Sequence, residues 1–149
     1  MYWLCLSFSE LSSKQLYELI KLRIDVFMVE QNCLYPELDD KDHASGVRHL
    51  LGYQQNNLVA YARLLPPGIS YQQVSIGRIV TAKKSRQNGC GKALLTTVLQ
   101  QCQQLWPAQD IKIGAQCYLI DFYQSFGFER VSNDYMEDGI AHLDMLLMK

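Results

Sequence analysis

The sequence predicts an α/β domain, a central mixed β-sheet of six to seven strands with helices on both faces. Three observations lead there. Strand-length runs that alternate or are rich in β-branched residues recur along the chain, at Tyr2–Phe8, Val47–Gln54, Leu58–Leu65, Gln73–Thr81, Ile111–Gly114, Phe128–Met136 and Ile140–Met148. Three stretches between them carry apolar residues at helical spacing. The resulting order, β-α-β-β-β-α-β-α-β-β, combines hairpins with helical crossovers, so parallel and antiparallel pairs must share one sheet. A length of 149 residues, nearly half of them apolar, suits one domain with a single core.

Tyr2 to Phe8 alternates and reads as an edge strand. Ser12 or Ser13 caps the first helix, whose apolar stripe is Leu16, Leu19, Ile20, Ile24 and Phe27 and which runs on to Glu30 or Gln31. Arg23 falls inside that stripe, an odd place for a permanent charge, and is expected to snorkel to a carboxylate at the edge of the core. Asn32 to Gly46, with Pro36, Glu37, Asp39, Asp40 and Asp42, is loop by composition. It reads either as a solvated acidic loop or as a negative rim that draws a cationic amine. Glu30, ending an apolar helix, is the better candidate for a partly buried acid. Val47–Gln54 and Leu58–Leu65 form a hairpin around Gln55-Asn56-Asn57, and Pro66-Pro67-Gly68 ends its second strand. Gln73–Thr81 follows. Lys92–Leu105 is a helix by the spacing of Leu94, Leu95, Val98, Cys102 and Leu105, closed by Trp106-Pro107. A strand from Ile111 to Gly114, continuing toward Cys117, leads into a helix over Tyr118–Phe126 that Gly127 stops in a left-handed cap. The last two strands join around Glu137-Asp138-Gly139.

Composition excludes several classes. Fourteen basic residues face fifteen acidic ones, so no basic field points to nucleic acid and no polybasic stretch to a membrane surface. The apolar start lacks a charged leader and is too short for a signal peptide or a span. Five scattered cysteines, odd in number and without CxxC pairs, predict free thiols in a reducing cytoplasm and no metal site.

The chemistry concentrates in Ser75 to Leu99, where a strand, the polar turn Ala82–Gly91 and a helix follow in order. The first N–H groups of a helix have no internal partner and sit at the positive end of its dipole. Gly89 and Gly91 lack a Cβ, so an anion can approach the main chain closely, and Arg86 and Lys92 add positive charge. This is a phosphate cradle, with a simple glycine-rich helix cap as the plain alternative. A nucleotide P-loop would need Gly where Arg86 stands and a hydroxyl where Ala93 stands. A dinucleotide fingerprint starts well with Gly89-Cys90-Gly91 but meets Leu94 in place of its last glycine.

Arg86-Gln87-Asn88-Gly89-Cys90-Gly91 resembles the Arg/Gln-x-x-Gly-x-Gly/Ala signature of the GNAT acetyltransferases, whose loop holds the pyrophosphate of coenzyme A. Downstream, Tyr123-Gln124-Ser125-Phe126-Gly127-Phe128 resembles that family's Tyr-x-x-x-Gly-Phe pattern on the helix after the next strand. Two motifs in the right order on the right elements are far more specific than either one. The N-terminal third is similar to the ElaA-like branch, through Leu22-Arg23, Val26-Phe27, Val29-Glu30-Gln31, Tyr35, Glu37, Asp39, Asp42 and His49-Leu50.

The resemblance implies the GNAT (acyl-CoA N-acyltransferase) fold over residues 1–149 and acetyl-CoA as cosubstrate, lying between the strands Ile76–Thr81 and Ile111–Cys117. Main-chain groups of Ile79, Val80 and Thr81 would pair with the pantetheine arm. Amides of Gln87, Asn88, Gly89, Gly91 and Lys92, in the loop that also carries Arg86 and Cys90, would hold the pyrophosphate. Gln116 stands where many relatives have an Asn. The implied reaction is transfer of acetyl to a primary amine, with Tyr123 protonating the leaving thiolate and Val80 N–H a candidate for the oxyanion. Glu30, acting through water, is the first choice of base, with His49 and His142 as alternatives. A coenzyme-A-binding module without turnover is the reading from a different class. The acceptor is not named by the sequence, and a homodimer is compatible with it.

Overall fold

The computed structural model describes all 149 residues and contains an eight-stranded sheet with helices on both faces. The strands are β1 (Tyr2–Ser7), β2 (Arg48–Gln54), β3 (Asn57–Leu65), β4 (Val74–Thr81), β5 (Ile111–Gln116), β6 (Glu129–Arg130), β7 (Tyr135–Glu137) and β8 (Ile140–Leu147). The helices are α1 (Ser13–Ile24), α2 (Cys90–Leu105) and α3 (Ile120–Gln124). The spatial order is β1-β2-β3-β4-β5-β8-β6, with β7 also pairing with β8. Every pair is antiparallel except β4 and β5, which α2 connects as a crossover. No helix is long and apolar enough to cross a membrane.

Period-two alternation explains the two layers. Leu50 and Leu51 are neighbours in β2, so they face opposite sides. Leu51 joins Tyr53, Tyr61 and Val80 against Leu19, Leu22 and Val26 of the first helical segment. Leu50 joins Ala62, Leu64 and Ile76 against Leu94, Leu95, Val98 and Cys102 of α2. Each such buried aliphatic side chain contributes roughly 1.5–3 kcal/mol. The predicted cap of α1 is a capping box: Ser12 Oγ accepts from Gln15 N–H at 3.1 Å, and Gln15 Oε1 accepts from Ser12 N–H at 2.8 Å. Beyond Ile24 the helix widens into a π-helical turn, Asp25–Glu30.

Three boundaries differ from expectation. α2 begins at Cys90, two residues early, because Gly89 in the left-handed region already serves as its N-cap. The helix expected over Tyr118–Phe126 is a short 3-10 turn, Cys117–Leu119, followed by the five residues of α3. Gly127 does terminate it, with φ +97°. The strand expected over Phe128–Met136 is split. Arg130 faces Met145 while Tyr135 faces His142, so five steps along one strand meet three along the other. The surplus loops out at Val131–Asp134, held where Asp144 N–H donates to Ser132 Oγ at 2.8 Å.

Two irregularities shape the centre of the sheet. β4 and β5 pair only at Val74–Ile111 and Ser75–Lys112 and then splay apart. β4 also bulges against β3: Gly77 faces Arg63 and Val80 faces Tyr61, with Arg78 at φ +49° in between. A bulge bends its strand and locally disrupts the ladder.

Candidate active site

Where β4 and β5 separate, they leave a cavity of about 650 Å³. Ile79, Val80 and Thr81 line it from β4, Gln116 from β5 and Tyr123 from α3. Glu30, Arg86 and Gly91 line it as well. Residues from the π-helical turn, the glycine loop and two strands thus meet in one space, although Glu30 and Tyr123 lie far apart in the chain. Gln87, Asn88, Gly89, Cys90 and Lys92 are not in the lining. Four of these are exposed on the loop and first turn of α2, whereas Cys90 is buried.

The cradle is built by backbone conformation. Gln87 and Gly89 have φ +71° and +75°. Gly89 caps α2 without any side-chain acceptor, and the first helical bond runs from Ala93 N–H to Gly89 O at 3.0 Å. The earlier N–H groups of the turn therefore remain open for an anion. A Cβ built at Gly91 would lie 3.9 Å from the Phe122 ring, an ordinary contact. Gly89 is favoured by its torsion, whereas the space around Gly91 would admit a Cβ.

Tyr123 is buried and packs edge-on against Phe122 and Phe128, with ring centroids 5.3 and 5.9 Å away. Burial pushes its phenol above the ordinary tyrosine range, so at neutral pH it retains its proton. Glu30 forms a two-pronged ion pair with Arg86, at 2.5 and 3.0 Å, and this hydrogen bonding holds its carboxyl below the usual range. Gln116 exchanges amide hydrogen bonds with Gln31 across the cavity, at 3.3 and 3.4 Å.

The two histidines separate clearly. His49 is fully buried outside the cavity: Nδ1 accepts from Tyr61 O–H at 2.7 Å, and Nε2–H donates to Asp42 O at 2.9 Å. Burial pushes its imidazole down, which keeps it neutral. His142 lines the cavity and stacks on Tyr135. Its Nδ1–H donates to Ile140 O at 2.7 Å, and its Nε2 lies 3.6 Å from Glu137 Oε2.

The acidic loop is neither solvated nor a free negative rim. Arg23 is 0 % exposed and does not snorkel. Its Nε donates to Glu37 at 2.5 Å and its Nη1 to Asp42 at 2.8 Å. Arg63 of β3 binds Asp39 and Asp42, at 2.8 and 3.0 Å, and Arg78 in the β4 bulge binds Glu37 at 2.8 Å. Tyr35 O–H donates to Glu37 at 2.5 Å. Burial by itself would raise the Asp42 carboxyl, but Arg23 and Arg63 outweigh it and hold it low. Three arginines neutralise three carboxylates and tie the loop to the sheet, while Asp40 remains outside. The sequence reading passed over Arg63 and Arg78, although each is a charge inside an apolar strand, the same signal that marked Arg23.

Comparisons with known proteins agree with this architecture. A family profile described as "Acetyltransferase (GNAT) domain" matches residues 14–149. The chain is 44% identical over 143 residues to Protein ElaA of Escherichia coli strain K12, covering 96% of this chain and 94% of that one. The crystal structure of Escherichia coli ElaA superposes with a TM-score of 0.90 at 42% identity, over 98% of this chain and 99% of that one. An acyl-CoA N-acyltransferase from Pseudomonas aeruginosa superposes with a TM-score of 0.93 at 38% identity, over 98% and 99% of the respective chains.

Proposed function

Because the chain belongs to the GNAT acetyltransferase family, we propose that it transfers the acetyl group of acetyl-CoA to a primary amine of a small molecule or peptide by direct attack. The observation that carries this reading is the cavity between the splayed strands, lined by Tyr123 and flanked by an open helix N-terminus. The residues fit the cosubstrate: open amides at Gly89–Lys92 suit a pyrophosphate, and the free ends of β4 suit an extended amide-bearing arm. Five unpaired cysteines support a reducing cytoplasm as the setting.

In this scheme the amine nitrogen forms a bond to the thioester carbon as the carbon–sulfur bond breaks. Tyr123, protonated at neutral pH, supplies the proton that the departing sulfur requires, and the Val80 N–H is the candidate donor to the developing oxyanion. Such proton transfer is typically worth about 10²- to 10⁴-fold. Tyr123→Phe is therefore expected to bind coenzyme A normally and to release thiol at least about tenfold more slowly across an amine panel. Equal rates would remove Tyr123 as the acid. Cofactor binding by the parent with no thiol release for any amine would instead support a non-catalytic coenzyme-A-binding module.

Glu30 is the base in this scheme, receiving the amine proton through water. Its ionised state at neutral pH is the one a base needs, though the Arg86 pairing makes it a weak one. A second reading is favoured by one observation: His142 lines the same cavity, its ring oriented by the hydrogen bond from Nδ1–H to Ile140 O. The two are separable by the acid limb of the kcat/KM profile. Glu30→Gln is expected to abolish that limb while His142→Gln leaves it in place, and the reverse pattern would transfer the role to His142.

A further inference from the structure

The contacts of Arg23 with Glu37 and Asp42 and of Arg63 with Asp42 are sealed in protein, but the contact between Glu30 and Arg86 is not. Arg23 and Arg63 are at most 3 % exposed at the side chain, whereas Arg86 and Glu30 are 34 % and 32 % exposed and both line the cavity. Glu30 ends the π-helical turn, an element that often marks functional positions. Its two oxygens meet Nη1 and Nη2 of Arg86 at 2.5 and 3.0 Å, the forked geometry that a guanidinium also offers to a phosphate. Nη2 further donates to Thr81 O at 3.0 Å, so the arginine lies over the end of β4. Nothing else in the glycine loop engages Glu30 by hydrogen bond.

We propose that Glu30 is an internal competitor for Arg86, occupying the guanidinium fork that the cofactor's pyrophosphate takes when it binds. The proposal rests on the reading of the glycine loop as a coenzyme-A cradle. Glu30 thereby tunes cofactor affinity and release, and binding of the anion frees its carboxylate within the cavity. The two substrate sites are coupled through one arginine. A half-exposed ion pair is worth little by itself, so the coupling is modest and readily reversible, as product release requires.

Calorimetric titration with coenzyme A tests this through a double-mutant cycle. Glu30→Gln is expected to bind coenzyme A about two- to fivefold more tightly than the parent, the factor corresponding to a half-exposed ion pair. Arg86→Gln is expected to bind more weakly. In the Arg86→Gln background, adding Glu30→Gln should leave affinity within about 1.5-fold, because the contested fork is gone. Equal tightening in both backgrounds would mean that only the general field of Glu30 matters, and no tightening in the parent would mean that the contact is not contested. Either result overturns the proposal. Absence of coenzyme A binding by the parent would overturn the cradle reading itself, and is distinguishable from both.

Discussion

Arg23→Ala is expected to destabilise the protein by about 3–5 kcal/mol, measured by urea unfolding, because it takes from the buried carboxylates Glu37 and Asp42 one of the two arginines each is bound to. Arg23 is wholly inside the structure and its charge is met by two carboxylates, each also bound to a second arginine. Removing it strips the centre from a network that closes the 32–46 loop over β3 and β4. A loss under about 1 kcal/mol would mean that the loop is held by other contacts. The network also sets an acid limit. Asp39 and Asp42 are held below their ordinary values, so their stabilisation is complete above about pH 4 and is lost as pH falls through the lowered folded values. The parent should therefore lose stability steeply below about pH 4. The Arg23→Ala variant starts lower, and its dependence in that window should be shallower.

Gly89→Glu and Gly91→Glu are each expected to weaken coenzyme A binding at least about a hundredfold, since like-charge juxtaposition in a binding site costs several kcal/mol. The two positions differ when the replacement is alanine. Gly91→Ala meets only an ordinary contact 3.9 Å from Phe122 and should retain most of its affinity. Gly89→Ala must hold φ +75°, at a strain of about 1–2 kcal/mol that appears as lost stability or a displaced loop. Thermal shift by coenzyme A reads both. A shift unchanged in the glutamate variants would count against this loop as the cradle.

Much of the fold was legible because its signals are short-range. Alternation marked β1 to β5 nearly to the residue, Ser12 marked the start of α1, and Gly127 marked the end of α3. The split of Phe128–Met136 was not legible, because the loop-out at Val131–Asp134 depends on Asp144, across the sheet on β8. Arg23 shows the same division. Its oddness was visible on the helical stripe, but its partners lie 14 and 19 residues away and its depth depends on the loop folding back over it. The very acids that looked like a rim for an amine, Glu37, Asp39 and Asp42, are taken by arginines from α1, β3 and β4.

By itself the sequence determined the layering of helices on a mixed sheet and the glycine-opened helix that follows β4, since side-chain periodicity and the torsional freedom of glycine act over a few residues. Only the tertiary structure decided which charges are neutralised in the interior, that β4 and β5 part after Ser75, and that Glu30, Arg86 and Tyr123 face one space. Those outcomes depend on the register between strands separated by a helical crossover and on loops packing over the sheet. No local pattern encodes either.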